Sequence, residues 1–170
     1  GLLRAATIAY PDNETIYVAN DNLLAARALA VLGSPLASKV LTALNNKHNG
    51  GWNGKVDILL GKDIPDTFYS MYNENVTTVF SSRFNTTFTV CYEKPDTANP
   101  IENWEEYADL LVYRALDRLL WGSRPGAEEL FGKLVELWDG CGFYDQWVKN
   151  YEIENGYKRY NTYKVALAIY

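Results

Sequence analysis

Three aspartates, Asp109, Asp139 and Asp145, stand where carboxylate chemistry could be built. Asp139 and Asp145 flank a glycine-containing turn crowded by Trp138, Phe143, Tyr144 and Trp147, where aromatic faces could hold a sugar ring beside an acid. Glycoside hydrolysis needs two facing carboxylates, one of them kept protonated by its surroundings, and these three are the candidates for that pair. The competing reading has Asp139 ending a helix with Gly140 while the aromatic residues fill a core. Other chemistries find no footing. The one histidine, His48, sits in an Asn/Gly tract, so no Ser/His/Asp set forms, and no glycine-rich phosphate loop follows a strand. One histidine and two cysteines are too few soft ligands for zinc, and the sequence asks for no metal and no cofactor.

Covalent chemistry has clearer signals. Asn13, Asn75 and Asn85 each open an Asn-X-Thr acceptor without proline in the middle, which reads as a secreted glycoprotein with those segments at the surface. The cysteines, Cys91 and Cys141, are even in number and fit one disulfide in an oxidising compartment, with two buried free thiols as the other reading. Both signals point to an extracellular or cell-surface location. No signal peptide is present, so the expectation is a mature form in which Gly1 follows a processing boundary.

Composition sets the outer limits. The 170 residues are 48% hydrophobic and 22% charged, enough apolar content for a core. The net charge of −5 gives no basic footprint for nucleic acid. The most apolar stretch, residues 23–32, is far shorter than the roughly 20 residues a bilayer demands and carries Arg27, so no membrane-spanning segment is expected.

The elements that must position these groups read as α+β, mainly α: repeated antiparallel helical hairpins with a small β-rich insertion, in a single domain over residues 1–170. Residues 1–19 form a short extended segment, two β-branched pieces around Pro11-Asp12-Asn13. Residues 20–54 form a first hairpin. Its first helix is apolar on nearly all sides and so is expected to be buried; Gly33 stops it, and Ser34-Pro35 starts a second helix with Leu36, Val40, Leu41 and Leu44 as its inner stripe. Residues 55–102 are the β-rich insertion, in which Phe84, Phe88 and Val90 share a face at period two. Residues 103–145 form a second hairpin, and residues 146–170 an aromatic loop and the start of a third helix. Aligning Arg27-Ala28-Leu29 with Arg114-Ala115-Leu116 gives an offset of 87 residues and makes the hairpins a repeat. Both arginines then sit in apolar helices and need a carboxylate partner; Asp21 and Asp109 are near in sequence, another hairpin is an equal source, and anion binding is the other reading.

The segments Tyr107-Ala108-Asp109-Leu110-Leu111, Trp138-Asp139-Gly140-Cys141-Gly142-Phe143-Tyr144-Asp145 and Thr162-Tyr163-Lys164-Val165-Ala166-Leu167-Ala168, with the hairpin pattern over residues 20–54 and 103–170, resemble pieces of secreted helical-hairpin proteins of the α/α toroid kind, such as six-hairpin glycosidases. The resemblance implies stacked hairpins with functional loops at one end. Two functions follow. One is a non-catalytic extracellular glycoprotein domain acting as a surface, assembly or ligand-binding module, with a glycan or self-association at a cell surface as its partner. The alternative is a carbohydrate-active enzyme, glycoside hydrolase-like, or a fragment of one. The repeat further places the exit loops carrying Trp52 and Phe143 at the same end of their hairpins. Trp52, Trp138, Tyr144 and Trp147 are then the stacking faces, with Asn49, Asn53, Asp139 and Asp145 as hydrogen-bonding groups.

Overall fold

The computed structural model of the chain describes residues 2–3, 15–82 and 85–170. Asn13, Phe84 and the first extended piece lie outside these residues. The described part is α+β and mainly α, with six α-helices and a small mixed sheet of three strands, as the composition and periodicity require. It divides into two compact units whose chain segments alternate: Gly1–Leu60 with Tyr69–Asn99, and Gly61–Phe68 with Pro100–Tyr170.

In the first unit β1 (Thr15–Val18) leads directly into α1 (Ala19–Val31), which folds back as α2 (Leu36–Lys47). Two 3-10 turns follow, then two strands, β2 (Tyr69–Ser81) and β3 (Thr86–Pro100), which make up the β-rich insertion. The central strand is β3. Beyond its pairing with β2 it receives β1 in parallel, from Thr15 opposite Phe88 to Val18 opposite Cys91. The core is Ala19, Leu23, Ala26, Val40, Leu44 and Tyr92.

Two predicted faces are corrected here. The inner stripe of α2 is Ala37, Val40 and Leu44, at spacings of three and four, while Leu36 and Leu41 are exposed. And α1 buries only its first half, leaving Arg27, Ala28 and Ala30 to Leu32 on the outside. Instead of apolar contacts alone, buried asparagines fix its start. The Asn20 amide donates to the Gly51 carbonyl at 2.7 Å, and its oxygen accepts the Glu93 amide at 2.7 Å, which ties α1 to the loop after α2 and to β3.

In the second unit a 3-10 turn (Trp104–Glu106) precedes α3 (Ala108–Leu120), followed by α4 (Arg124–Glu136), α5 (Gln146–Asn155) and α6 (Thr162–Ile169). Ala108, Leu111, Val112, Ala115, Ala127, Leu130, Leu134 and Phe143 form its core. Arg114 is buried as expected, and it has the carboxylate partner that its desolvation requires. Its guanidinium bonds Asp117, one turn ahead, at 3.0 Å and the carbonyls of Pro65 and Asp66 at 2.8 Å, and lies 4.8 Å from the Phe68 ring centre. Five planar donors need several acceptors when desolvated, and the chain returns residues 65–68 to supply them.

Each helical hairpin closes through the same backbone turn. In α1–α2 the Gly33 amide donates to Ala30 and the Ser34 amide to Leu29; in α3–α4 the Gly122 amide donates to Leu119 and the Ser123 amide to Arg118. Gly33 and Gly122 hold φ of 67° and 75°, the left-handed conformation this C-cap requires.

Candidate functional site

The start of α3 carries no side-chain cap of its own, and the Ala108 amide instead donates to Asp145 Oδ2 at 3.1 Å. Asp145 is also the N-cap of α5, its Oδ1 accepting the Val148 amide at 3.2 Å. From α6, Lys164 brings its Nζ to 2.5 Å from Asp145 Oδ2 and 3.7 Å from Asp109 Oδ1. The neighbouring Tyr163 donates to Asp109 Oδ2 at 3.0 Å. Two aspartates named from sequence thus meet around one buried ammonium that pins the first turns of three helices together. Both Asp145 oxygens are occupied and the residue is wholly buried. Burial and the Asp109 charge push the Tyr163 hydroxyl well above the ordinary tyrosine range.

Asp139 goes elsewhere. It sits at the surface in the turn after α4, its Oδ1 accepting the amides of Cys141 (3.1 Å) and Gly142 (3.2 Å). Its Oδ2 accepts Lys158 Nζ at 3.0 Å and the Tyr160 hydroxyl. That hydroxyl first, then Lys158 and the two amides, hold its carboxyl well below the usual carboxylate range, while Asp139 in turn pushes Lys158 up to about 12. Gly142 is required by space: a Cβ there would lie 2.6 Å from the Tyr160 ring.

Residues 146–155 are the helix α5, not a loop. Its outer surface carries aromatic rings at helical spacing. Trp147 and Tyr151, four residues apart, stack with centroids 5.3 Å apart and planes 22° from parallel. Tyr157 meets Tyr151 edge-on at 5.5 Å, and their hydroxyls are 2.9 Å apart. Tyr144 donates to Glu152 at 2.7 Å beneath Lys158, whose Nζ is 4.1 Å from the ring centre, and Arg159 lies 5.7 Å from the centre of Tyr151. Trp138, half exposed, packs its edge on Phe143 at 5.3 Å.

Of the predicted stacking residues, Trp138, Tyr144 and Trp147 belong to this unit. Trp52 belongs to the first unit and packs on its core, and Phe143 is buried in the core of the second. Asn53 is buried, donating to Glu93 at 2.8 Å and accepting the amides of Lys55 and Val56, so its polar atoms serve the fold. Tyr157, Lys158, Tyr160 and Tyr163 fall in a sequence tract, residues 157–163, that is polar and aromatic together as carbohydrate-contacting loops often are; Tyr151 and Lys164 carry no such signal beyond the four-residue step from Trp147 to Tyr151.

The cysteine pairing is corrected: Cys91 and Cys141 are both free thiols, not at bonding distance. Cys91 is buried in β3, donating to Asn75 Oδ1 at 3.1 Å, whereas Cys141 is exposed in the Asp139 turn. Of the acceptor asparagines, Asn75 and Asn85 are exposed. His48 is buried at the end of α2, where it lines a cavity of about 550 Å³ with Tyr17, Val76, Phe88 and Val90. Among the described residues no group of three or more His, Cys, Asp or Glu could hold a metal ion, and no helix is long and apolar enough to cross a membrane. Comparison of the chain with protein-family models, with curated proteins and with solved structures finds no match to any of them.

Proposed function

We propose that the chain is a non-catalytic extracellular glycoprotein domain that binds a neutral polar glycan on the aromatic surface of α5 and the turn before it. The observation that carries this reading is the Trp147–Tyr151 stack, half-buried and continued by Tyr157, with Glu152 and Lys158 offering polar groups at its rim. A pyranose places an apolar C–H face on such rings and its hydroxyls on the surrounding donors and acceptors. The enzymatic alternative draws less support. A general acid or nucleophile must reach the substrate, and Asp145 is wholly buried with both oxygens engaged.

We infer also that the two helical hairpins are copies of one unit of the kind α/α toroid proteins stack. Supporting this, the two turns share their hydrogen-bond pattern at an offset of 89 residues, Gly33 with Gly122, and the same offset pairs Asn20 with Asp109, two buried polar residues at the start of a first helix. We read the repeat in this register rather than through Arg27 and Arg114, of which the first is exposed and the second buried. The secreted location rests on the acceptor asparagines and is decided by the intact mass of protein from its native host, expected above that of the bare chain.

For binding, the purified protein is titrated with a panel of neutral oligosaccharides while heat and tryptophan fluorescence are followed. Trp147→Ala is expected to weaken binding by about tenfold or more and no oligosaccharide should be shortened. No binding by the wild type removes the glycan reading, and hydrolysis abolished by Asp139→Asn or Asp145→Asn establishes the enzyme instead.

A further inference from the structure

The tip of the α1–α2 hairpin is built against the usual rule for a solvated turn. Val31, Leu32 and Leu36 are 75%, 79% and 46% exposed, and they bracket the rigid Gly33-Ser34 turn, so three large apolar side chains project together into water. The flanking charge is of one sign. Arg27 stands one helical turn behind Val31 on α1, Lys39 one turn behind Leu36 on α2, and both are exposed. From Asn22 through Val56 the chain carries four basic residues (Arg27, Lys39, Lys47, Lys55) and no aspartate or glutamate, although the whole chain is at −5. The α3–α4 tip also exposes Leu119, Leu120 and Trp121, with Arg118 one turn behind, but acids stand beside it: Arg124 is paired with Glu128 at 2.8 Å, and Glu129 is exposed next to it.

We propose that the α1–α2 tip is an interfacial anchor for an anionic lipid surface. Val31, Leu32 and Leu36 immerse at the boundary between headgroups and acyl chains, and Arg27 and Lys39 reach the lipid phosphates from the first turn behind them. Apolar groups ringed by cations match that boundary: the bilayer takes the aliphatic surface that water rejects, and the anionic headgroups meet the only acid-free stretch of this length in the chain. The contact lies in the plane of the membrane surface and requires no spanning helix.

The test is sedimentation of the full chain with phosphatidylcholine vesicles and with mixed phosphatidylcholine–phosphatidylglycerol vesicles. Binding is expected to the anionic vesicles only and to fall as salt rises. Leu32→Glu should weaken it by about tenfold or more, and Arg27→Glu with Lys39→Glu to a similar degree. Circular dichroism checks that each variant is folded, and Leu36→Glu stands in if Leu32→Glu is not. Binding that ignores lipid charge, or that survives these variants and is lost in Trp121→Glu, overturns the assignment. So does a wild type that binds no vesicle but self-associates in solution and becomes monomeric in Leu32→Glu, which would make the tip a contact between copies.

Discussion

Replacing Lys164 by methionine keeps the length of the side chain and removes its charge. Asp145 would then hold a buried carboxylate with only two amides to satisfy it, and Asp109 would lose its ammonium neighbour as well. Removing one member of a buried ionic group typically costs about 3–5 kcal/mol. Lys164→Met is therefore expected to lower the urea midpoint by that much stability, with an unchanged denaturant slope. Asp139 behaves differently because it is at the surface. Its folded-state carboxyl is held below its unfolded value, so the stabilisation is present above about pH 4 and lost as pH falls through the lower folded value. Thermal melts from neutral to strongly acidic pH should show a slope in that acid window that Asp139→Asn removes. Carboxylates near aromatic residues could be picked out from the sequence, and Asp109 and Asp145 do come together. That they meet around Lys164 could not be, because a lysine in the pattern Thr162-Tyr163-Lys164-Val165 reads as the solvated side of a helix.

At the scale of elements, Gly33 and Gly122 make a paired experiment. Both are left-handed and neither has an atom within 4 Å of where a Cβ would stand, so the cost of alanine is conformational alone. Gly33→Ala and Gly122→Ala should each destabilise by about 1–2 kcal/mol, and amide exchange should speed at Ser34 in the first variant and at Ser123 in the second. The hairpins were legible because Gly-Ser-Pro and Gly-Ser-Arg-Pro punctuate long runs of helix formers. The helix α5 was not. Only Val148 of its ten residues is buried, so its apolar residues form no inward stripe, and the four-residue step from Trp147 to Tyr151 lies on its outer side. Its caps were nonetheless written in the sequence as Asp145 and Gly156, the latter left-handed at φ 77°. The outer half of α1 failed in the opposite sense. A helix apolar all round is normally buried, and this one is left uncovered at Val31 and Leu32.

At the scale of the whole molecule, the two thiols report on the two units separately. Burial raises the Cys91 thiol above its ordinary value, and its proton is donated to Asn75, whereas Cys141 stands exposed. Under native conditions iodoacetamide should add to Cys141 alone, read as a single mass increment, and to Cys91 only after denaturant is added. A chain that takes up no label until it is reduced would restore the disulfide. The alternation of the two units along the chain also sets an order in time. On a ribosome the first unit has all its strands once residue 99 has emerged, while the carbonyls of Pro65 and Asp66 must wait for Arg114, nearly fifty residues later, to be bound. Nascent chains halted before that point should have a protease-sensitive stretch at residues 61–68 between protected flanks, and the same stretch should become resistant when synthesis resumes.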